Sequence, residues 1–203
     1  LAPMSRKIIT VGRQFGSNGR AIAKLLAENL GIKFYDKELI EMAAERAGIH
    51  PEQFAAVDEK GANPWLYAGN QVQNYPNSML PINDVLFDIQ SQVIRELADR
   101  EECVIVGRAA DYVLKDHKDV QSIFIYSPME ARLETVKARF QIDEKEARAK
   151  IRKKDKERKY YYNYYTDGGW GEAENYHLTI DSSRYGIEET AKILAAMIRA
   201  EEE

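Results

Sequence analysis

The sequence predicts an α/β fold built on a five-stranded parallel sheet with helices on both faces. Five short apolar segments, rich in β-branched residues, alternate with longer amphipathic stretches; they cover residues 8–11, 32–35, 103–106, 122–126 and 176–180. Unbroken apolar runs of this length are typical of strands that are buried on both faces, as in a parallel sheet. The alternation of strands and helices supplies the crossover connections that such a sheet requires.

Helices are predicted between the first strands from their apolar faces and their end signals. The first covers about residues 20–30 and ends at Gly31. The second follows Asp36, which is a candidate N-cap, and it ends at Gly48. Pro51 begins a third, short helix.

Residues 58–83 have no clean period, although they contain three prolines and the aromatic residues Trp65, Tyr67 and Tyr75. A loop of this length inside a domain is usually functional or mobile. Residues 84–100 then repeat apolar side chains at helical spacing and predict a helix.

Two capping boxes predict the helices of the second half of the chain. The first lies at residues 127–130, with proline at the first helical position, and opens a helix to about residue 140. Asp143 and Glu146 repeat the box ahead of a long charged helix that ends near residue 165. The last helix is predicted over residues 186–199.

Composition excludes several classes of protein. The 203 residues are 44% apolar and 31% charged, which is ordinary for a soluble globular protein and too apolar for disorder. No apolar run is long enough to cross a membrane. With Cys103 as the single cysteine and three scattered histidines, neither a disulfide nor a Cys- or His-based metal site is expected. We expect a cytoplasmic protein with one domain over residues 4–203, and residues 1–3, ahead of Met4, as a remnant of expression.

Charge is distributed unevenly along the chain. The net charge of −4 argues against a general nucleic-acid binder. Residues 144–159, however, contain nine basic and four acidic side chains, a local charge of +5. This segment either meets an anionic ligand or forms the solvated face of a helix.

The first candidate site is the loop between the first strand and the first helix, residues 12–20. Ligands of parallel sheets bind at the carboxyl ends of strands, glycines let backbone N–H groups approach a phosphate, and a helix N-terminus favours anions. Against the pattern GxxxxGK[ST], Gly19 matches, Arg20 replaces the lysine and Ala21 replaces the Mg²⁺-binding residue. The loop is predicted either to bind phosphate or to be a simple strand-to-helix turn.

Two further candidates follow along the chain. Arg108 and Asp111 come after the third strand, where they either point into the same crevice or pair with each other. On the long charged helix, Arg152, Asp155 and Arg158 lie three residues apart and share a face. Such a face could close over a migrating phosphoryl group and exclude water.

Five of the twelve tyrosines lie within residues 160–165. The run predicts packing of the helix end onto the body of the protein or onto a second copy in a homodimer. Stacking on a base is a further use of such side chains.

Together these features resemble the cytidylate kinase-like group of the nucleoside monophosphate kinases, a branch of the P-loop kinases. The resemblance rests on the loop at 12–20, Phe34-Tyr35-Asp36, the strand ending in Gly107-Arg108, the arginine-rich residues 152–158, and the last strand with its Asp181-Ser182 ending. It implies a P-loop kinase-like fold with a helical lid at about 143–171 and an acceptor-side segment at about 36–83.

The resemblance also implies an ATP- and Mg²⁺-dependent transfer of a phosphoryl group to CMP or a related small phosphate-bearing acceptor. ATP would be held by Gly16, Ser17, Asn18, Gly19, Arg20 and Ala21. Catalysis would fall to Arg20, Arg152, Asp155 and Arg158, and acceptor binding to Asp36, Lys37, Arg108 and Asp111. The partners are then small molecules, with no membrane and no nucleic acid.

Three residues depart from cytidylate kinases, which carry a serine, an arginine and an aspartate at the positions of Lys37, Met42 and Ala109.

Two other functions stay open. Ala21 and the missing lysine favour a nucleotide-binding regulatory or interaction protein with little or no turnover. The basic helix and the tyrosines would suit RNA binding, which the acidic remainder of the chain disfavours.

Overall fold

The computed structural model of the protein describes residues 7–59, 67–69 and 78–200. In chain order the strands are β1 (Ile8–Arg13), β2 (Lys33–Tyr35), β3 (Tyr67–Gly69), β4 (Ser78–Pro81), β5 (Cys103–Val106), β6 (Val120–Tyr126) and β7 (Leu178–Asp181). The helices are α1 (Gly19–Leu30), α2 (Lys37–Ala47), α3 (Pro51–Glu59), α4 (Ile82–Arg100), α5 (Ala110–Val113), α6 (Met129–Phe140), α7 (Glu144–Tyr165) and α8 (Gly186–Ala200). The chain forms two compact units, one of Leu1–Phe34 with Glu101–Glu203 and one of Tyr35–Arg100.

Five strands form one sheet in the order β2-β5-β1-β6-β7. The central strand β1 pairs in parallel with β5, where Ile8 lies opposite Cys103, and with β6, where Ile8 lies opposite Val120. The predicted five-stranded parallel sheet with helices is confirmed. From β1 the chain moves to the edge strand β2 on one side and later to β6 and β7 on the other. The carboxyl end of β1 is therefore the point at which ligands bind in sheets of this kind.

The sheet is held by a core on one of its faces, where α1 and α8 pack together against the strands. The main side chains of this core are Ile9, Val11, Ile22, Leu26, Val104, Val106, Ile123, Ile125, Leu194 and Ile198. α1 ends at Gly31 as predicted, because this glycine adopts a left-handed φ of 67° and the turn bonds back to the carbonyls of Ala27 and Glu28.

A second, smaller cluster joins α6 to α7; its buried members are Leu133, Val136, Ala147 and Ile151. The predicted capping box at the start of α7 is confirmed, since Asp143 and Glu146 each accept a hydrogen bond from the other's backbone N–H. The box predicted at residues 127–130 is wrong. Here α6 begins at Met129, Pro128 is the N-cap, and no side chain caps the helix.

The second unit contains α2, α3, α4 and an antiparallel pair of strands, β3 with β4. α2 packs against α3 and α4, and Arg46 of α2 donates two hydrogen bonds, of 2.8 and 2.6 Å, to Glu96 of α4. As predicted, α2 ends at Gly48 in the left-handed conformation.

The strands β3 and β4 correct the expectation that residues 58–83 lack regular structure. They are three and four residues long, too short for an alternation of period two to stand out in the sequence. Trp65 and Tyr75, noted in this segment, lie outside the described residues. Within the described ranges, no helix is both long and apolar enough to cross a lipid bilayer.

Candidate active site

The loop between β1 and α1 lies at the carboxyl end of the central strand. The backbone N–H of Gln14 donates to the carbonyl of Ile125 in β6 at 3.0 Å, and beyond it the loop leaves the sheet. Gly16 and Asn18 have left-handed φ angles of 82° and 61° and turn the chain into α1, which begins at Gly19. The positive end of the α1 dipole therefore lies at this loop.

Residues at the ends of β6 and β7 hold the loop in place. The Ser127 N–H donates to Oε1 of Gln14 at 3.0 Å, and the Ser182 hydroxyl donates to the Ser17 carbonyl at 2.6 Å. The hydroxyls of Ser127 and Ser182 are buried and 2.7 Å apart, which explains why Ser127 does not cap α6. The loop is thus ordered before a ligand binds, and this reduces the entropy lost on binding.

A largely buried ion pair joins the loop to α6 and α7. Asp155 of α7 accepts the Phe15 N–H at 2.8 Å with one carboxylate oxygen and pairs with Arg132 of α6 through the other. The side chains of Arg132 and Asp155 are 8% and 18% exposed, so water screens their attraction only weakly. Asp155 thereby fixes both the loop and a guanidinium group beside it.

Two further arginines reach the loop. Arg158 of α7 donates to the carbonyl of Arg13 at 3.0 Å, and its guanidinium carbon lies 5.6 Å from the centre of the Phe15 ring. Arg139 of α6 donates to Oδ1 of Asn18 at 2.9 Å. Arg152 is exposed. Of the three residues predicted to act together on this helix, the structure therefore brings Asp155 and Arg158 to the loop and Arg152 to the outside of α7.

Arg20 lies in the first turn of α1 and is exposed. Its guanidinium carbon is 5.9 Å from the centre of the Phe34 ring on β2. By contrast, the loop residues Gly16, Ser17 and Gly19 are buried. Arg20 therefore presents its charge beside the loop, towards the edge strand.

The chain bends sharply after β5. Gly107, Arg108 and Ala109 have φ angles of 74°, 59° and 50°, so three consecutive residues occupy the left-handed region. This conformation costs energy for the two residues that carry a side chain, and strain of this kind is concentrated at functional sites.

Tyrosines of α7 pack beside this bend. The Tyr162 hydroxyl donates to Asp111 of α5 at 2.6 Å. Burial raises the pKa of the Asp111 carboxyl, and the hydrogen bond from Tyr162 opposes that rise. Burial also raises the pKa of Tyr161, and the charge of nearby Arg108 opposes it. The inner tyrosines of the run therefore pack onto the body of the protein, which was the first of the predicted uses.

Asp36 and Lys37 belong to the second unit, whereas Arg108 and Asp111 belong to the first. The Asp36 N–H donates to Oε2 of Glu38 at 3.0 Å. Contrary to the prediction, the Asp36 side chain does not cap α2, because its backbone (φ −140°, ψ −87°) lies outside the extended region that an N-cap uses. Lys37 is exposed.

Comparison with known proteins assigns the family. The model of the cytidylate kinase-like family matches residues 8–184. The chain belongs to this family. Over 200 residues it is 28% identical to a cytidylate kinase of Methanopyrus kandleri, covering 94% of this chain and 92% of that protein. A cytidylate kinase of Methanoregula boonei is 23% identical over 192 residues, with coverage of 94% and 93%.

Solved structures agree with a kinase fold. An uncharacterised protein from Eubacterium ventriosum has a TM-score of 0.71 and 29% identity, covering 96% of this chain and 99% of its own. A shikimate kinase from Acinetobacter baumannii (TM-score 0.51, 20% identity, coverage 97% and 94%) and a gluconokinase from Sinorhizobium meliloti (0.54, 13%, 98% and 94%) share the fold. As a member of the cytidylate kinase-like family with this fold, the protein is a nucleotide or small-molecule kinase.

The family implies a nucleotide substrate and typically Mg²⁺. Ala21 offers no oxygen ligand, and the Ser17 hydroxyl donates to the Gln14 carbonyl at 2.8 Å. Across the described residues, no group of three or more His, Cys, Asp or Glu could hold a metal ion. These residues therefore do not fit a Mg²⁺ site held by the protein alone. The loop and its arginines, by contrast, fit the phosphates of a nucleotide.

Three arginines at the loop, Arg13, Arg132 and Arg139, were not predicted from the sequence. The sequence does contain an indication of the role of Arg132. This residue shares the apolar face of α6 with Leu133 and Val136, where a charged side chain needs a buried partner. There is no such indication for Arg139, since its partner lies 121 positions away in the chain. There is none for Arg13 either, because the residues that surround its side chain come from α1 and from the end of β5.

Proposed function

We propose that the protein is an ATP-dependent phosphotransferase that transfers a phosphoryl group to CMP or a related small phosphate-bearing acceptor. The observation that carries the proposal is the loop between β1 and α1, which Arg132, Arg139 and Arg158 approach from α6 and α7. A helix N-terminus and guanidinium groups both favour a polyphosphate. Phosphoryl transfer depends mainly on positioning and on such cations.

On the donor side, ATP is held by the loop and the first turn of α1, through Gly16, Ser17, Asn18, Gly19, Arg20 and Ala21. Arg20 takes the electrostatic role of the missing lysine. Arg158 acts from the inner side of α7, and Arg152 joins it when residues 143–171 close as a lid. Asp155 orients the loop and Arg132, which its two contacts support.

On the acceptor side, the proposed binding residues are Asp36, Lys37, Arg108 and Asp111, as the resemblance to cytidylate kinases suggests. Met42 cannot make the bidentate contacts that an arginine makes with a phosphate. We therefore expect CMP to be a poorer substrate than another small phosphate-bearing molecule.

The proposed cofactors are ATP and Mg²⁺, with Mg²⁺ bound mainly to phosphate oxygens and water, as is usual for this ion at nucleotide sites. The proposed location is the cytoplasm. Burial raises the pKa of the Cys103 thiol to about 12, so this cysteine stays protonated and unreactive at neutral pH.

The test is a coupled assay of ADP release, with ATP and Mg²⁺, across nucleoside monophosphates and small phosphorylated metabolites. Reactions without an acceptor separate transfer from ATP hydrolysis. We expect one acceptor to reach a kcat/KM of about 10⁴ M⁻¹s⁻¹ or more and CMP to stay below it. Efficient use of CMP would contradict the acceptor prediction alone, whereas no turnover with any acceptor would contradict the proposed transfer.

A second candidate is a nucleotide-binding regulator with little or no turnover. It is favoured by the Asp155 carboxylate, which occupies the Phe15 N–H at the start of the loop, and by the absence of a hydroxyl at Ala21. Titration calorimetry distinguishes the two: ATP binding without turnover in the assay selects the regulator.

A further inference from the structure

Arg13, the last residue of β1, places its side chain at the centre of the carboxyl edge of the sheet. Its carbonyl oxygen is held by Arg158. Two glycines border the side chain. A Cβ atom added at Gly19 would collide with Cβ of Arg13, and one added at Gly107 would lie 2.7 Å from Nη1 of Arg13. The side chain therefore passes the first residue of α1, and its guanidinium group reaches the end of β5.

Gly19 is required by Arg13, because a Cβ atom closer than 3.0 Å to a neighbour is essentially never observed and the Cβ of Arg13 cannot move without the backbone. At Gly107 an added Cβ atom would meet only the end of the guanidinium group, which would have to shift aside. Gly107 also has a φ of 74°, which a residue with a side chain rarely adopts. The backbone thus leaves room for one guanidinium group between the loop that joins β1 to α1 and the bend after β5.

The bend after β5 is strained, and strain of this kind is concentrated at functional sites. Arg108 and Ala109 continue the left-handed conformation of Gly107, and the surrounding structure must compensate for this strain. The cation of Arg13 lies against the first residue of the bend, and Arg108 is the next residue. The guanidinium group of Arg13 therefore lies beside the bend that carries Arg108.

Arg20 lies over a different part of the sheet. Its guanidinium group is beside Phe34 on β2, and β5 separates β2 from β1 in the strand order. Arg13 and Arg20 are therefore positioned to meet different groups of a bound nucleotide.

From this geometry we infer that Arg13 is a catalytic residue that contacts the migrating phosphoryl group, while Arg20 serves nucleotide binding; the inference rests on the proposed function. An oxygen of the acceptor's phosphate bonds to the γ-phosphorus of ATP as the bond from that phosphorus to the bridging oxygen breaks, and the electron pair leaves with ADP. Arg13 keeps its proton and donates hydrogen bonds to the oxygens of the group in transit, where the transition state carries its charge.

The experiment compares Arg13→Met, which keeps an unbranched stem but removes the guanidinium group and its charge, with Arg13→Lys and Arg20→Met. Arg148→Met is the matched control, because Arg148 is an α7 arginine that pairs with Glu144 of the same helix. For each variant, kcat is measured in the coupled assay and the Kd for ATP with a fluorescent analogue.

We expect Arg13→Met to lower kcat by about 10²–10³-fold and to leave ATP binding nearly unchanged. Arg13→Lys should recover part of the loss, since it restores the charge without the planar fork. Arg20→Met should weaken ATP binding about tenfold or more, and Arg148→Met should behave as the wild type. Wild-type kcat in Arg13→Met would overturn the inference and leave phosphoryl transfer intact, whereas an inactive wild type would contradict the proposed function.

A measurement on the wild type covers the case in which Arg13→Met fails to fold. The labelling of Arg13 by phenylglyoxal is measured by mass spectrometry in two mixtures. The first contains ADP alone. The second contains ADP, aluminium fluoride and the acceptor, which together mimic the phosphoryl group in transit. Slower labelling only in the second mixture supports the inference. Equal labelling in both mixtures overturns it.

Discussion

The two faces of α7 carry similar residue types but make different contacts. The inner face (Ile151, Asp155, Arg158 and Tyr162) meets the small core, the loop and α5. The outer face (Arg152, Lys156, Tyr160 and Tyr164) is exposed, and its two tyrosines stack with ring centres 6.0 Å apart.

The difference shows that charge does not identify the functional residues of this helix. With 3.6 residues per turn, neighbours in the sequence point in different directions, so a basic run always supplies both faces. The ion pair of Asp155 with Arg132 has lost most of its contact with water, so breaking it leaves a buried charge without a partner. An exposed ion pair contributes little to the stability of the protein. The effect of a substitution should therefore follow the face rather than the residue type.

The largest effect on stability is expected for Asp155→Asn. This variant leaves the guanidinium group of Arg132 buried without its counter-charge, which typically costs about 3–5 kcal/mol. The free energy of unfolding, measured by urea denaturation and circular dichroism, should fall by this order.

The matched control is Glu157→Gln on the same helix. Glu157 pairs with Lys154 at 2.9 Å, but the two side chains are 36% and 37% exposed. Its loss should cost no more than about 1 kcal/mol. Equal losses in the two variants would remove the distinction between the buried and the exposed ion pair.

A smaller effect is expected for Tyr162→Phe, and it should depend on pH. Burial raises the folded-state pKa of Asp111, so the stability that Asp111 contributes is present below its unfolded pKa and is lost as the pH rises through the folded value. The Tyr162 hydrogen bond opposes this loss by stabilising the carboxylate. Tyr162→Phe should therefore lower the free energy of unfolding by about 1.5–3 kcal/mol at pH 7 and by less near pH 4, as measured by urea denaturation at the two pH values.

Tyr160→Phe is the control for this experiment, because Tyr160 is 51% exposed on the outer face. It should leave the unfolding curves unchanged at both pH values. A penalty for Tyr162→Phe that is independent of pH would contradict the role given to Asp111.

The smallest effect on stability is expected for Arg152→Ala. Arg152 is exposed, so its loss should change the free energy of unfolding by no more than about 0.5 kcal/mol. If residues 143–171 close over bound ATP, kcat should nevertheless fall about tenfold or more, and amide exchange in this segment should slow when ATP and Mg²⁺ bind. Lys156→Ala, from the same face, should change neither quantity. Wild-type kcat in Arg152→Ala, with equal exchange in both states, would argue against a lid.

Much of the fold follows from local patterns. The strand at 103–106 was predicted to the residue, and Gly31, Gly48 and the capping box at Asp143 mark helix ends where the structure has them. These features depend on side chains within a few residues of one another. The capping box at 127–130 failed because Ser127 bonds to Ser182, 55 positions away.

The site is less visible in the chain because its contacts are long-range. The glycine-rich loop and the arginine-rich helix could be recognised as candidates, and Asp155 and Arg158 were among the residues named. That Asp155 meets the N–H of Phe15, 140 positions away, could not be read from spacing. Nor could the course of Arg13 between two glycines. A charged group that is withdrawn from water needs a partner or a ligand, and only the packing of β1, β5, α6 and α7 determines which groups are withdrawn together.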